Sequence, residues 1–195
     1  MKSKKRCEWC QSSPLMIAYH DKEWGVPVHN DRKLFEFMVL DAFQAGLSWS
    51  TILNKRENFR KAFANFDPVK VARFNKRSFE RLMKDAGIIR NRQKISCTIE
   101  NAKIFLKIQK EYGSFNKYIW QFVDGKPRQN KVKNMRQIPA RTSQSDAMSK
   151  DLKKRGFKFV GSTICYAFMQ AAGMVNDHKS DCYRYQQIKK RAEGR

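Results

Sequence analysis

Apolar residues recur at intervals of three and four along most of the chain, which is the period of a helix with one buried face. The longest apolar stretch, LFEFMVLDAFQAGLSW at residues 34–49, follows Asp31, which is expected to cap a helix. Because apolar residues surround nearly the whole circumference of that helix, it is predicted to be central. No segment alternates as a strand does, so we expect an all-α fold. Further helices are predicted at residues 49–54, 57–66, from Pro68, and at 78–86, 91–112, 114–123, 145–155 and 162–172.

Basic residues exceed acidic ones by a wide margin. The chain has 41 Lys and Arg against 18 Asp and Glu, a net charge of +23, spread from one end to the other. One concentration lies at residues 124–144, which lose the helical period and are predicted to be a long, exposed, basic loop. A folded surface this basic is tolerated when its partner is a polyanion, such as nucleic acid, an anionic membrane or an acidic protein.

The ends and the cysteines bear on the compartment. No apolar run reaches membrane-spanning length, and the N-terminal MKSKKRCEWC is not followed by the apolar segment of a signal peptide. Five cysteines is an odd number. We therefore expect a cytosolic protein whose cysteines are reduced or bind a metal.

Residues 152–169, LKKRGFKFVGSTICYAFM, predict two helices joined by a tight turn with glycines five positions apart. Beyond Gly161, the free N–H groups of Ser162 and Thr163 would point out of a helix N-terminus, which attracts anions. With Lys158 beside them, these groups indicate a site for a DNA phosphate. The alternative is an ordinary corner between two helices whose lysines are merely solvated.

Potential metal ligands lie near both ends of the chain. Cys7 and His20 are in the first segment, and His178 and Cys182 are four residues apart, on one face of a helical turn. Two thiolates and two imidazoles form a closed, structural zinc site. Cys10, three residues beyond Cys7 in a Cys-x2-Cys spacing, could replace His20 or Cys182. The alternative is that both histidines are core residues and the cysteines are incidental.

One carboxylate, Asp41, stands inside the longest apolar stretch, where a charge is costly unless it is partnered. Gln44 lies on the same helical face, and Trp49 and Tyr19 supply aromatic faces nearby. Stacking faces with polar edge readers are what a pocket for an extruded nucleobase requires. The alternative is that Asp41 pairs with an arginine and that both aromatic residues are simple core.

Taken in order, these segments resemble the bacterial 3-methyladenine DNA glycosylase I family, within the helix-hairpin-helix glycosylase superfamily. The resemblance covers most of the chain, and a match this long is specific. Its stretches are PLMIAYHDKEWGVP (14–27), QAGLSW (44–49), KRENFRKAF (55–63), FDPVKVA (66–72), DAGIIR (85–90), LKKRGFKFVGSTICYAFMQA (152–171) and VNDH (175–178).

The resemblance implies a helix-hairpin-helix fold whose termini are tied by a structural zinc. A single domain of two helical lobes would span residues 1–182, one lobe containing the hairpin at 152–172, and the basic tail at 183–195 matches nothing in the family and is expected to be disordered. The zinc ligands implied are Cys7, His20, His178 and Cys182. The roles implied are base binding by Tyr19 and Trp49, a DNA wedge at Gly46 and Leu47, and a phosphate clamp at Lys158, Gly161, Ser162 and Thr163.

The chain departs from the family pattern in the pocket. Members carry Glu where this chain has Asp41, followed by Ala42 where Gly is common, and an aromatic residue is replaced by Met16, which can still pack on a base edge. Asp is shorter by one methylene, which withdraws its oxygens by roughly 1.5 Å. These changes bear on the range of bases accepted more than on the class of reaction.

The expected function is base-excision repair in a bacterial cytoplasm, by a monomer acting on double-stranded DNA. The enzyme would flip an alkylated purine, chiefly 3-methyladenine, and hydrolyse its N-glycosidic bond without cutting the strand. Asp41 would stabilise positive charge, and Gln44 would read the base edge. A non-catalytic module that binds damaged DNA is the main alternative. An RNA-binding protein is disfavoured because the chain lacks the aromatic sheet motif of common RNA-binding modules.

Overall fold

The computed structural model describes residues 4–193 and is mostly helical, as the sequence predicts. No helix in this part of the chain is both long and apolar enough to cross a membrane. The helices are α1 (Pro14–Lys22), α2 (Asp31–Gln44), α3 (Trp49–Ala62), α4 (Pro68–Ala72), α5 (Lys76–Lys84), α6 (Arg92–Tyr112), α7 (Phe115–Trp120), α8 (Ser143–Lys154), α9 (Ser162–Ala171) and α10 (Tyr183–Glu193). Two strands of two residues each were not predicted: β1 (Arg128–Gln129) and β2 (Val175–Asn176) pair in parallel.

Several predicted helix boundaries need correction. Residues 49–62 form one helix rather than two. The helix predicted to begin at Ser145 begins at Ser143, with Thr142 as its N-cap. The tail predicted to be disordered is helix α10 as far as Glu193, and Ile188 is buried; residues 194–195 lie outside the described part. That tail could not be recognised because its apolar residues are few, and their burial depends on the surface they pack against.

Asp31 stabilises a different helix from the one predicted. The N-cap of α2 is Asn30, whose side chain accepts the N–H of Lys33 at 3.0 Å. Asp31 instead accepts the N–H groups of Phe115 and Asn116, each at 2.8 Å, at the start of α7. A carboxylate at a helix N-terminus satisfies free donors and complements the helix dipole. Asp31 therefore fixes the start of one helix to the start of another.

Helix α2 lies at the centre of the molecule, as predicted. It packs against α3, α6, α7 and α9, and nine of its fourteen residues are buried. Phe35 meets Phe105 of α6 edge-on, with ring centroids 5.1 Å apart. Phe43 meets Phe59 of α3 in the same manner at 4.8 Å. Ring contacts near both ends of α2 thus join it to α6 and to α3.

The segment at residues 124–144 is exposed over most of its length, as predicted, but it is also pinned to the fold. Its β1 pairs with β2, and Val132 is buried and bridges to Lys179. A short 3-10 helix at Met135–Gln137 follows, closed by a capping box between Asn134 and Gln137. This segment therefore has a defined position over the end of α9.

Gly173 permits a very close approach of two chain segments. It follows α9 with φ of +67°, a conformation that suits glycine. A Cβ at this position would lie 2.2 Å from the carbonyl carbon of Val26 and 2.4 Å from the nitrogen of Pro27. Because these neighbours are backbone atoms, they cannot move aside without shifting the connection between α1 and α2.

Gly173→Ala should therefore destabilise the protein strongly, as judged by the free energy of unfolding in urea. The matched control is Gly113→Ala, because Gly113 has a similar φ of +80° but the nearest atom to its added Cβ would be the end of Lys117 at 3.7 Å. The control should lose about 1–2 kcal/mol, the cost of a left-handed alanine. Gly173→Ala should lose clearly more, and equal losses would contradict the close approach.

Candidate active site

A cavity of about 360 Å³ opens at the C-terminal end of α2. Its apolar wall comes partly from α9 and partly from the 124–144 segment, which contributes Met135 and Ile138. Its aromatic and polar lining residues are Trp9, Tyr19, Trp24, Asp41, Gln44, Trp49 and Gln170. A concave apolar site with a few polar groups is typical of small-molecule binding.

The local sequence explains how these side chains converge. Asp41 and Gln44 lie in the last turn of α2, and a short turn leads from there to Trp49, the first residue of α3. Ser48 caps α3 by accepting the N–H of Thr51 at 3.2 Å. The two helix ends therefore deliver an acid, an amide and an indole to one place, as the sequence predicts.

Asp41 is buried without a charged partner. It is only 4% exposed, and its Oδ2 has no hydrogen-bond partner. Burial raises the pKa of Asp41 well above its usual range, and the nearby positive charge of Arg56 opposes this shift only in part. A buried polar atom left without a partner in an otherwise well-packed fold calls for a ligand or a bound water.

Arg56, the arginine whose charge acts on Asp41, already forms ion pairs with two glutamates. Arg56 is buried, donates two hydrogen bonds to Glu23 at 2.7 and 2.8 Å, and donates a third from Nε to Glu36 at 2.7 Å. Burial alone would lower the pKa of Arg56, but these carboxylates raise it above its usual value. The alternative in which Asp41 merely forms an ion pair with an arginine is therefore wrong.

Tyr19 and Trp49 meet each other at the wall of the cavity. Their ring centroids are 5.2 Å apart and their planes are inclined by 48°. A base stacked between two rings needs them about 7 Å apart, twice the optimal carbon–carbon contact distance. In this conformation the two rings form one corner of the cavity rather than its two opposite faces. Burial, followed by the charge of Asp41, raises the pKa of Tyr19 well above its usual range.

Sequence reasoning missed Trp9 and Gln170. Trp9 packs edge-on against Tyr19 and Trp24, with centroids at 6.4 and 5.0 Å. The buried indole Nε1 atoms of Trp9 and Trp49 have no hydrogen-bond partner, so two donors accompany the orphaned Asp41 oxygen in the same cavity. Trp9 could have been suspected from its position between two cysteines near the N-terminus. Gln170 gave no signal beyond a polar position on an apolar helix.

Met16 does not lie where a base-binding residue should. It was predicted to pack on a base edge, but it is buried in the core and is not among the residues that line the cavity. Met16 and Tyr19, three residues apart, share one face of α1, so they differ in position along the helix axis. Met16 lies nearly one turn before Tyr19, and of the two only Tyr19 lines the cavity.

The predicted wedge lies on the surface beside the cavity. Gly46 has φ of +80°, and Leu47 is a rare exposed large apolar residue, 40% accessible. Lys94 of α6 reaches under the turn and donates to the carbonyls of Phe43 and Ala45 at 2.8 and 2.6 Å. A cation at the C-terminus of α2 complements the free carbonyls and the helix dipole there. Burial lowers the pKa of Lys94.

The predicted phosphate hairpin is held by Asn101 of α6. Its side-chain amide donates to the carbonyl of Lys158 and accepts the N–H of the same residue, both at 2.9 Å. The Lys158 side chain is exposed, and a Cβ at Gly161 would meet no atom within 4 Å. Ser162 and Thr163 begin α9, which has no side-chain cap.

A second cavity, of about 200 Å³, joins the two motifs. It is lined by Asp41 and Gln44 from α2, Gly46 and Leu47 from the turn, and Thr163 from the first turn of α9. Asp41 therefore borders both the aromatic cavity and the groove between the predicted wedge and the predicted phosphate clamp. The structure brings together residues that are more than a hundred positions apart in the chain.

The four predicted metal ligands also converge. Cys7, His20, His178 and Cys182 are buried, and their ligand atoms all lie within 4.8 Å of one another. The Sγ atom of Cys182 is 3.5 Å from Nε2 of His20 and 3.7 Å from Nδ1 of His178. About 3.6 Å is the separation of sulfur and nitrogen on a tetrahedral zinc with ordinary bond lengths. The donor set and its spacing fit a metal ion.

The histidines are oriented by second contacts. The Nδ1–H of His20 donates to Asp21 at 2.8 Å, and the Nε2–H of His178 donates to the carbonyl of Trp24 at 3.0 Å. Each bond leaves the lone pair of the other ring nitrogen, Nε2 of His20 and Nδ1 of His178, beside the cysteine sulfurs, where it can bind a metal, as is usual for metal-ligating histidines. Arg6 in turn holds the Asp21 carboxylate at 2.8 Å. Cys10 lies outside the cluster and donates its thiol to the Cys7 carbonyl at 3.1 Å.

Comparison with known proteins gives consistent matches over nearly the whole chain. The family model described as methyladenine glycosylase matches residues 9–185. DNA-3-methyladenine glycosylase 1 of Escherichia coli strain K12 is 53% identical over 180 residues, which are 92% of this chain and 96% of that protein. A crystal structure of 3-methyladenine DNA glycosylase I superposes with a TM-score of 0.89 at 51% identity, covering 92% of this chain and 98% of the other.

A further match holds a ligand. It is a crystal structure of a tyrosine-to-phenylalanine variant of 3-methyladenine DNA glycosylase I in complex with 3-methyladenine. It superposes with a TM-score of 0.88 at 36% identity, covering 91% of this chain and 96% of the other.

Because Asp41 is buried without a partner, we expect Asp41→Asn to stabilise the protein at neutral pH. Because the folded-state pKa is raised, the folded chain keeps a proton that the unfolded chain loses above about pH 4, so stability falls as pH rises through that window. The substitution removes this dependence. The free energy of unfolding in urea should therefore exceed that of the wild type by an amount that grows between pH 5 and pH 7, by up to about 1.4 kcal/mol per pH unit.

Asp151→Asn is the control of opposite sign. Burial alone would raise the pKa of Asp151, but hydrogen bonds from Tyr118 and Arg155 lower it, so this carboxylate stabilises the fold when ionised. Its substitution should destabilise the protein at pH 7. A loss of stability in Asp41→Asn that did not vary with pH would contradict the buried, unpaired acid.

Proposed function

Because this chain belongs to the methyladenine glycosylase family, we propose that it is a monofunctional DNA glycosylase that excises alkylated purines, chiefly 3-methyladenine. The observation that carries the proposal is Asp41, an unpartnered acid in the wall of an aromatic cavity. The related structure that holds 3-methyladenine supports this choice of base. As base-excision repair, the reaction would take place in the bacterial cytoplasm, and the chain would act as a monomer built as one domain of two lobes.

The flipped base would enter the cavity against the corner formed by Tyr19 and Trp49. A purine alkylated at N3 carries positive charge, which the Asp41 carboxylate attracts across an environment of low dielectric constant. In the empty cavity, burial favours the protonated acid, and an arriving cation reverses that preference because the carboxylate gains a partner. Gln44, with one donor end and one acceptor end, would read the base edge.

The chemistry requires little acid catalysis, because the base is already a cationic leaving group. Water would form a bond to C1′ of the sugar while the bond from C1′ to the purine nitrogen breaks. The bonding electrons pass to the base and neutralise it, and the water releases a proton to solvent. Asp41 would lower the energy of the positive charge that develops on the sugar. No lysine lines the aromatic cavity, so the proposal includes no covalent intermediate and no strand cleavage.

DNA would be held on both sides of the second cavity. The exposed Leu47, on the turn made possible by Gly46, would fill the gap left by the flipped base. Across the groove, α8 and α9 with their connecting turn would act as the helix-hairpin-helix element. The N–H groups of Gly161, Ser162 and Thr163, with the exposed charge of Lys158, would hold a phosphate there. The net charge of +23 supports this placement on double-stranded DNA.

We propose that the metal is zinc and that its role is structural. Cys7, His20, His178 and Cys182 would occupy all four positions of a tetrahedral ion, which leaves none for water. When bound, the ion would tie the N-terminal segment, which carries Trp9, to the chain that follows α9. A metal that joins distant segments contributes directly to folding free energy.

Base release from methylated DNA tests the proposed function. The protein should release 3-methyladenine from DNA treated with dimethyl sulfate, detected by chromatography of the free bases. Asp41→Asn should slow this release by about 100-fold or more, the usual effect of removing one electrostatic contact to a transition state. Its affinity for abasic DNA should stay nearly unchanged. Glu80→Gln, on the exposed face of α5, controls for the loss of one negative charge.

Two outcomes would count against the proposal. Unchanged release by Asp41→Asn would remove this residue from the mechanism. Tight binding of abasic DNA by the wild-type protein with no release of any base would instead favour a non-catalytic lesion-binding module, a role that the shorter acid at position 41 would explain.

Metal analysis tests the zinc. The purified protein should contain one zinc per chain. Cys182→Ser should lose the metal and lower the Tm by about 10 °C, the shift expected when a chain of this length loses roughly 3 kcal/mol. Cys10→Ser is the matched control, because a serine hydroxyl can still donate to the Cys7 carbonyl; this variant should keep both its metal and its Tm. Loss of zinc in both variants, or in neither, would contradict the ligand set.

A further inference from the structure

Asp177 is a second buried carboxylate close to the active-site cavity, and it differs from Asp41 in accepting hydrogen bonds at both of its oxygens. It is 1% exposed. Its Oδ2 accepts hydrogen bonds from the Tyr166 hydroxyl and from Nε2 of Gln170, both at 2.8 Å. Its Oδ1 accepts from Nδ2 of Asn130 at 2.6 Å. All three donors are neutral, so the carboxylate acts as an anchor for side chains that point at it.

This anchor determines which way the Gln170 amide faces. A carboxylate is an acceptor, so the end of the amide turned toward Asp177 must be the nitrogen. The carbonyl oxygen Oε1 is then turned away, and no described residue donates to it. Gln170 lines the aromatic cavity, whereas Asp177 does not. A side chain that would otherwise offer either a donor or an acceptor is thereby restricted to an acceptor.

We propose that Gln170 is a specificity-determining residue that selects adenine-type over guanine-type bases. Held by Asp177, its Oε1 would accept a hydrogen bond from the exocyclic amine of the flipped purine. Adenine has an amino group at C6, whereas guanine has a carbonyl oxygen there, which would face Oε1 lone pair to lone pair. Asp177 is a positioning residue in this arrangement. The inference rests on the proposed glycosylase function and adds a substrate preference to it.

Asp41 and Gln170 would then divide recognition between charge and edge chemistry. Adenine and guanine methylated at N3 both carry positive charge in DNA, so the attraction of Asp41 acts on both. The fixed carbonyl of Gln170 distinguishes them. A site built to hydrogen-bond one partner rejects an analogue that leaves its buried polar group unpaired.

The test compares two bases and four variants. Release of 3-methyladenine and of 3-methylguanine from methylated DNA is measured together with the affinity of the protein for each free base. Gln170→Met keeps the length of the side chain but removes the acceptor. It should lower release and binding of 3-methyladenine by about tenfold, the worth of one well-placed hydrogen bond, and leave 3-methylguanine unchanged or improved. Asp41→Asn should instead reduce the release of both bases.

Gln109→Met is the matched control. Gln109 makes the same kind of contact, donating Nε2 to Asp31 at 2.6 Å, but it lies on α6, outside the cavity. Its substitution removes an equivalent amide–carboxylate bond and should leave the ratio between the two bases unaltered. Asp177→Asn frees the Gln170 amide to turn. It should bring the release of 3-methyladenine and of 3-methylguanine closer together, while the metal content stays constant.

The outcomes distinguish failure of the proposed glycosylase function from failure of the proposed role of Gln170. Wild-type protein that releases neither base would overturn the proposed function itself. Wild-type protein that releases 3-methyladenine, with Gln170→Met lowering both bases equally or neither, would overturn the role of Gln170 and leave the glycosylase intact. The role of Gln170 would also be overturned if Gln109→Met lowered the preference for 3-methyladenine over 3-methylguanine as much as Gln170→Met does, because the effect would then be one of general stability.

Discussion

The burial of an unpaired carboxylate at the end of the central helix is the constraint around which this molecule is organised. Removing an ionised acid from water costs several kcal/mol, and ordinary folds recover that cost with a cation or several hydrogen bonds. Here Arg56 is engaged by Glu23 and Glu36, and an oxygen of Asp41 has no partner. The fold therefore keeps a destabilising group in place, as expected where a ligand rather than the protein supplies the missing interaction.

The surrounding structure shows what is needed to hold such a group. Phenylalanine rings clamp α2 on its sides, and Lys94 binds the carbonyls at its C-terminus. The close approach at Gly173 brings the end of α9 against the α1–α2 connection. The Cys and His cluster joins the segments that carry Trp9 and β2. These contacts join the elements around the cavity to one another, most of them across long stretches of the chain.

The two carboxylates near the cavity illustrate how environment separates function from support. Asp41 has an orphaned oxygen and lines the cavity, whereas Asp177 accepts hydrogen bonds from three neutral donors and does not line it. The first is poised to respond to a positive charge. The second can only orient its neighbours, and through Gln170 it gives the cavity wall a fixed acceptor. Similar residues in similar burial thus differ in role because of the donors around them.

Periodicity and capping alone determined much of the architecture: the central α2, the long α6 ended by Gly113, and the α8–turn–α9 pair. The spacing of cysteines and histidines and the isolated acid also indicated two sites, because those residue types need partners wherever they are buried. Sequence could not reveal that Asp31 caps a distant helix, that residues 183–193 are helical, that Met16 does not line the cavity, or that Trp9 and Gln170 line it. Those features depend on which surfaces meet after folding, and contacts between residues far apart in the chain leave no periodic trace in its sequence.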